Sequence, residues 1–157
     1  MIVSFEPVRE VYERLQENAK SDPRWICYNL ALGERHQEKT INVYESSVFS
    51  SFLEATDYSK NIWSSLDTMN EEVVQVSRLD DIFPELVAKT TCGSFFLKMD
   101  TQGYDINVFR GAIGSLRNVK ALQSELSLIA VYKKMRGTYR VLDEYHVHDF
   151  SSVECIL

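Results

Sequence analysis

The sequence predicts an α/β fold with a mainly parallel sheet. Two observations favour this class: short apolar runs of strand type alternate with segments of helical periodicity, and no tight hairpin turn joins consecutive runs. The chain has 157 residues, of which 45% are hydrophobic and 25% charged, as is typical of one globular domain with its own core. We therefore treat residues 1–157 as a single domain.

A strand followed by a helix is predicted at the start of the chain. The β-favouring run Ile2–Phe5 ends at Glu6-Pro7, and proline suits the first turn of a helix because it has no N–H to leave unpaired. Apolar residues then recur at spacings of three and four, which predicts one buried helical stripe. The stripe consists of Val8, Val11, Tyr12, Leu15 and Ala19.

The next part of the chain predicts two strands and a long loop. The almost wholly apolar run from Trp25 to Leu32 predicts one strand covered on both faces. The alternating segment Thr40–Tyr44 predicts another, which can pair antiparallel with a strand predicted at Val73–Val76. Residues 45–70 have weak periodicity, so we expect a long loop with or without a helical turn, and its apolar content is typical of a lid or a binding loop.

The second half repeats the order of strand, acid and helix. SFFLKM leads into Asp100 and is followed by a helical segment from Tyr104 to Leu116, and VKALQS leads into Glu125. The other predicted elements are a helix with an acidic first turn at Leu79–Val87, a helical stretch around Thr138–Tyr145 and a last strand at Val153–Leu157.

Three carboxylates directly follow predicted strands: Glu6, Asp100 and Glu125. Ligands of open α/β sheets bind beyond the carboxyl ends of the strands, so we expect all three to line one rim. Glu6 is suited to accept both hydrogen bonds of a ribose diol, or alternatively to interact with a helix dipole. Asp100 and Glu125 would lie close together, where one raises the pKa of the other and allows general-base chemistry on a hydroxyl. They could equally hold a metal, bind the substrate or be solvated loop acids.

Charge and composition exclude several classes. With 17 basic and 23 acidic residues the formal charge is -6, which argues against a broad surface for nucleic acid or anionic membranes. No run is long enough to span a membrane and the first residues lack the signal-peptide pattern, so we expect a cytoplasmic protein. We expect no metal centre, because His146 and His148 lack a third ligand at a defined spacing. Cys27, Cys92 and Cys155 are expected to be reduced, buried thiols.

Several sequence blocks, in order, resemble one known family. They are IVSFEP, DPRW with NLALG, INVYESSVFSSFL, VSRLDD, LKMDTQGYDINVFRGA and ALQSELSLIAVY, and they cover about residues 2–132. Together they look like the FkbM family of S-adenosylmethionine-dependent methyltransferases, and LKMDTQGYD with the RGA after it is the most specific block. The resemblance implies a Rossmann-like class I methyltransferase sheet with flanking helices, which transfers a methyl group to a hydroxyl of a small molecule or sugar-containing metabolite.

The resemblance also implies roles for individual residues. Glu6 would bind the ribose of S-adenosylmethionine, and Ala31 and Leu32 would border the adenine. Asp100 would face the methyl group and the acceptor as the catalytic base, with Glu125 as the second candidate. Three serines of ESSVFSS would help to shape the acceptor pocket: Ser47, Ser50 and Ser51.

The family pattern also contains a first strand and a loop resembling DxGANxG before SFEP, which holds the methionine end of the cofactor. This chain begins after that point and no glycine in it forms GxGxxG, so the resemblance implies a partial domain without the first strand and glycine loop. An unpaired sheet edge would invite self-association. The alternative is a degenerate or truncated methyltransferase-like module that acts in protein interaction without catalysis. A nicotinamide-dependent oxidoreductase would also place an acid after a strand, but it would not explain LKMDTQGYD.

Overall fold

The computed structural model describes residues 1–67, 69–90 and 92–151, and it contains both strands and helices along the chain. The strands are β1 (Ile2–Phe5), β2 (Trp25–Tyr28), β3 (Ala31–Leu32), β4 (Gln37–Tyr44), β5 (Met69–Ser77), β6 (Phe95–Met99) and β7 (Val119–Ser124). The α-helices are α1 (Arg9–Ala19), α2 (Asp57–Ile62), α3 (Leu79–Thr90), α4 (Asp105–Arg110) and α5 (Thr138–Val147). The predicted α/β class is therefore confirmed.

The strands of the described part of the chain pair in three small sheets. Strands β1 and β2 form one parallel pair and β6 and β7 form another, while β5 lies between the parallel β3 and the antiparallel β4. The predicted antiparallel pairing is confirmed over a longer register, from Gln37 opposite Val76 to Tyr44 opposite Met69. The Rossmann-like arrangement of one continuous sheet stays a prediction.

One main hydrophobic core packs the helices against the parallel strand pairs. Its buried members come from β3, α3, β6, α4, the turn after α4, β7 and α5, and the half-buried side chains of β1 and β2 pack against it. The predicted stripe of α1 is also confirmed, since Val8 and Ala19 are buried and Val11, Tyr12 and Leu15 are half-buried. The core thus holds both parallel pairs on one set of helices.

The single strand predicted from Trp25 to Leu32 is wrong, because the structure divides it into β2 and β3, which belong to different sheets. The break falls at Asn29. Its side-chain amide donates hydrogen bonds to the backbone oxygens of Glu6 and Pro7, each at 3.0 Å. These contacts turn the chain away from β1, and β3 then pairs with β5.

The helix predicted from Tyr104 to Leu116 is shorter than expected. Helix α4 ends at Arg110, and the turn from Ile113 to Asn118 is a 3₁₀-helix. Gly111, directly after α4, packs against another backbone, because a Cβ atom there would come within 2.0 Å of the backbone oxygen of Gly33. Only glycine leaves room for that contact.

The loop predicted over residues 45–70 contains regular structure. It includes α2 and two short 3₁₀-helices at Ser47–Phe49 and Ser64–Leu66, and β5 begins at its end. Thr56 caps α2, since its hydroxyl accepts a hydrogen bond from the Ser59 backbone N–H at 3.2 Å. A separate buried cluster anchors the segment on the rest of the protein through Tyr44, Ala55, Leu66 and Tyr132.

The predictions for the cysteines, for the last strand and for membrane-spanning segments can also be compared with the structure. Cys27 and Cys92 are free thiols, but Cys92 is exposed and Cys27 only half-buried, so the expectation of buried thiols is wrong for Cys92. Cys155 and the strand predicted at Val153–Leu157 lie outside the described residues. Over the described ranges, no helix combines the length and apolar character that crossing a membrane requires.

The contact between Gly111 and Gly33 predicts a stability effect. Gly111→Ala would place a methyl carbon 2.0 Å from a backbone oxygen, so the chain must shift, and we expect the free energy of unfolding to fall by about 3 kcal/mol. Urea denaturation measures this difference. Gly93→Ala is the matched control, because its added Cβ meets no atom of the described residues within 4 Å. Equal stability of the two variants would contradict the packing argument.

Candidate functional site

Asp100 and Glu125 leave the sheet side by side. Strands β6 and β7 are parallel, and their last residues, Met99 and Ser124, lie opposite each other. The residue after each strand is one of the two acids, so the register brings together two carboxylates that are 25 positions apart in the sequence. The Asp100 side chain is 40% exposed, which leaves the pair open to a ligand.

Gln102 bridges the two carboxylates. Its side-chain nitrogen donates to Asp100 Oδ1 at 3.1 Å and lies 3.5 Å from Glu125 Oε2. Its side-chain oxygen is 3.2 Å from the hydroxyl of the buried Tyr132. Gln102 and Gly103 both have positive φ angles, 50° and 86°, so a tight reversal after β6 turns the Gln102 amide back toward the acids.

A buried third carboxylate, that of Asp105, holds the two strand ends together. Asp105 is 3% exposed. Its Oδ1 accepts a hydrogen bond from the Thr101 backbone N–H at 3.0 Å and another from the Thr101 hydroxyl. Its Oδ2 accepts from the Ser124 hydroxyl at 2.6 Å and from the Glu125 backbone N–H at 3.1 Å. Asp105 therefore holds Thr101, which follows Asp100, and Ser124, which precedes Glu125.

The environment of the pair raises the pKa of Glu125. Partial desolvation and then the negative charge of Asp100 raise the pKa of Glu125, and the Lys98 ammonium opposes this rise. Lys98 Nζ lies 3.0 Å from Asp100 Oδ2, and this hydrogen bond raises the pKa of Lys98. Glu125 therefore keeps its proton up to a higher pH than an isolated glutamate does.

Glu6 lies at the end of β1, as the sequence predicts, but in a separate hydrogen-bond network. Its Oε1 accepts from the Val8 backbone N–H at 2.9 Å. Burial, followed by the nearby charge of Glu72, raises the pKa of Glu6. Among the described residues, no hydrogen bond or ion pair joins Glu6 to Asp100 or Glu125.

Ala31 and Leu32 form strand β3 and are core residues. They are 5% and 8% exposed and pair with Val76 and Ser77 of β5. Beyond them, Gly33 leaves no room for a side chain, because a Cβ there would lie 2.7 Å from a methyl carbon of Val76. Core packing therefore takes up most of the side-chain surface at this position.

The three predicted serines have different environments. Ser51 is 1% exposed, and its hydroxyl donates to the Gln102 backbone oxygen at 2.7 Å, so it supports the turn that carries Gln102. The Ser50 hydroxyl oxygen is buried without a hydrogen-bond partner among the described residues. Ser47 is exposed at the start of a 3₁₀-helix. Only Ser51 is hydrogen-bonded to the turn beside Asp100.

Sequence reasoning missed Lys98, Gln102 and Asp105. Two signals in the sequence could have found them. Lys98 and Asp100 stand two positions apart in an extended segment, a spacing that places side chains on the same face. Gln102-Gly103 directly after a strand is a turn signal, and a turn there returns the chain toward the strand end.

A small pocket lies beside Glu125. It is lined by Gly103, Asp105, Leu126, Met135 and Arg136 among others, and its free volume of about 10 Å³ is sufficient for one water molecule. Within residues 1–67, 69–90 and 92–151, no three His, Cys, Asp or Glu side chains form a group that could hold a metal ion.

Comparison with known proteins agrees with the resemblance seen in the sequence. The model of the methyltransferase FkbM domain matches residues 1–150, a range that contains Glu6, Asp100 and Glu125. No curated protein and no solved structure matches the chain. Because the match extends from before β1 to beyond α5, the chain belongs to the FkbM methyltransferase family.

Proposed function

We propose that this protein is an S-adenosylmethionine-dependent methyltransferase that methylates a hydroxyl oxygen of a small molecule. Beyond family membership, the observation that carries the proposal is the carboxylate pair at the ends of β6 and β7. Gln102 bridges its side chains and Asp105 fixes its backbone, so the two acids are parts of one built site. A hydroxyl is a methyl acceptor that needs a proton-accepting group beside it.

The chemistry divides between the cofactor and the protein. When bound, S-adenosylmethionine supplies an electrophilic methyl group on its sulfonium. The protein's task is to position the acceptor hydroxyl and to take its proton. Asp100 is the first candidate for this base and Glu125 the second. The raised pKa of Glu125 supports this role, because a base is most effective when its pKa approaches the working pH.

The hydrogen-bonding capacity of the Glu6 carboxylate supports binding of the ribose of S-adenosylmethionine. One oxygen of the Glu6 carboxylate accepts the Val8 N–H, and no hydrogen bond from the described residues engages the other oxygen, Oε2. A half-buried carboxylate with a free oxygen can accept from a diol. Ala31 and Leu32 are proposed to border the adenine through the edge of β3, since their side chains lie in the core.

A small acceptor is more consistent with the charge than nucleic acid is. The net charge of -6 disfavours a polyanionic substrate, and a cytoplasmic location would supply both the cofactor and small metabolites. We propose that the segment with Ser47, Ser50 and Ser51 borders the acceptor. The buried Ser50 hydroxyl, which has no partner in the described part of the chain, supports this assignment.

An interaction module without catalysis is the second candidate function. In the described part of the chain, the β1–β2 and β6–β7 pairs share no strand hydrogen bonds with each other. Phe96 of β6 and Ile2 of β1 are 62% and 50% exposed, respectively. Unpaired strand edges beside exposed apolar side chains are sites at which another chain, including a second copy, can add a strand.

Glu6→Gln tests the cofactor site. The amide still accepts the Val8 N–H but loses the charge that would hold a diol, so we expect the affinity for S-adenosylmethionine to fall about tenfold or more. Calorimetric titration measures it, and Glu10→Gln on the exposed face of α1 is the control. If the unsubstituted chain does not bind S-adenosylmethionine, the proposed activity is wrong and the interaction module is favoured.

Asp100→Asn tests the proposed base. We expect methyl transfer from labelled S-adenosylmethionine to a panel of hydroxylated small molecules to fall by about 10²- to 10⁴-fold, with cofactor affinity nearly unchanged, because the amide cannot take a proton. Asp81→Asn in the first turn of α3 is the control for the loss of one exposed carboxylate. Full activity of Asp100→Asn would exclude Asp100 as the base.

The acid side of the pH–rate profile tests the coupling within the pair. The raised pKa of Glu125 means that any activity that requires an ionised Glu125 is lost, as the pH falls, at a higher pH than for an ordinary carboxylate. Lys98→Met removes a charge that lowers this pKa, so the acid limb should move to still higher pH. Lys120→Met, on the neighbouring strand β7, should leave the limb in place. An NMR titration of the Glu125 carboxyl carbon checks the same shift without an acceptor.

A further inference from the structure

A basic groove lies beside the candidate site and has no part in the proposed function. Lys134, Arg136 and Arg140 line it, together with Met135, Gly137 and Tyr139. The groove is an open feature of the surface, formed by the single segment 134–140, and its free space is about 540 Å³. Three cations in one groove are unexpected in a chain with a formal charge of -6, and local charge of one sign attracts ligands of the other.

The charges of the groove are poorly compensated by the protein. In the described ranges, no carboxylate lies within 4.0 Å of the Lys134 ammonium or the Arg140 guanidinium. Arg136 lies 3.8 Å from Glu144 Oε2, but that carboxylate is already bound by Arg110, whose Nη2 donates to the same oxygen at 2.8 Å. The first turn of α5, which contains Arg140, carries no acidic residue. Two of the three cations therefore have no carboxylate of the described residues within ion-pair distance.

The groove adjoins the carboxylate pair. Met135 and Arg136 line both the groove and the small pocket that contains Glu125 and Asp105. A molecule with its hydroxyl at Glu125 could therefore extend into the groove. An anionic group on that molecule would be repelled by the two carboxylates, and the cations of the groove would offset this repulsion.

We propose that the methyl acceptor carries a phosphate group, which Lys134, Arg136 and Arg140 bind in this groove. The proposal rests on the proposed function, because it identifies the substrate class of the same site. Guanidinium groups bind phosphate through paired N–H donors, and a phosphate dianion matches several cations better than a carboxylate does. The Tyr139 side chain, which is 80% exposed in the groove, offers an apolar face to the body of the acceptor.

The experiment is a titration of the full chain with inorganic phosphate at low ionic strength, followed by calorimetry and phosphorus NMR. We expect saturable binding that weakens as salt is added, because the contact is ionic. The double variant Lys134→Gln/Arg140→Gln should bind phosphate about tenfold more weakly. Neither side chain has an ion pair with a described residue, so the variant should fold, which circular dichroism checks.

Arg117→Gln is the matched control, since it removes an exposed cation outside the groove. Equal weakening in this variant, absence of saturation, or equal affinity for acetate would overturn the proposal. This experiment and the test of the methyltransferase activity can fail independently of each other. Phosphate binding that depends on Lys134 and Arg140, without binding of S-adenosylmethionine, would refute the methyltransferase activity and leave the anion site. Transfer of methyl to neutral acceptors only would refute the phosphate site and leave the activity.

Discussion

The buried Asp105 carboxylate is the interaction on which the candidate site depends. A carboxylate that is 3% exposed is tolerated only when its oxygens are well supplied with hydrogen bonds. Its donors belong to two segments, Thr101 after β6 and Ser124–Glu125 at the end of β7. Asp105 therefore fixes the distance between the strand ends from which the two exposed acids project. If it lost these partners, it would leave an unpaired charge in the core and release both acids together.

The same interaction extends into the helical layer. The Tyr145 hydroxyl of α5 donates to Ser124 Oγ at 2.9 Å, and Arg110 at the end of α4 binds Glu144 of α5 through two nitrogens. Helix α5 is thus positioned by contacts to β7 and α4. Since the basic groove lies at the first turn of α5, the contacts that order the acids also place the cations.

Local patterns predicted the elements that depend on local physics, and long-range contacts decided the rest. The stripe of α1 and the apolar strands β6 and β7 follow from periodicity, and the meeting of Asp100 with Glu125 follows from parallel pairing. The break at Asn29 could not be predicted, because its amide bonds carbonyl oxygens 22 and 23 positions away. The requirement for glycine at position 111 is similar, because it comes from a contact with the backbone of Gly33, 78 positions earlier in the sequence.

The candidate site also has some features that local patterns predict and others that only the folded chain determines. That Asp100 and Glu125 follow strands is visible in the sequence, whereas their bridging by Gln102 depends on two consecutive positive φ angles. The bridge favours a built pair over solvated loop acids, an alternative that the sequence left open. Solvated acids would separate to reduce their repulsion, but here one amide contacts both side chains and one buried carboxylate fixes their backbone. Like charges that a fold holds close together repel each other and lower its stability. Such arrangements are typical of functional sites.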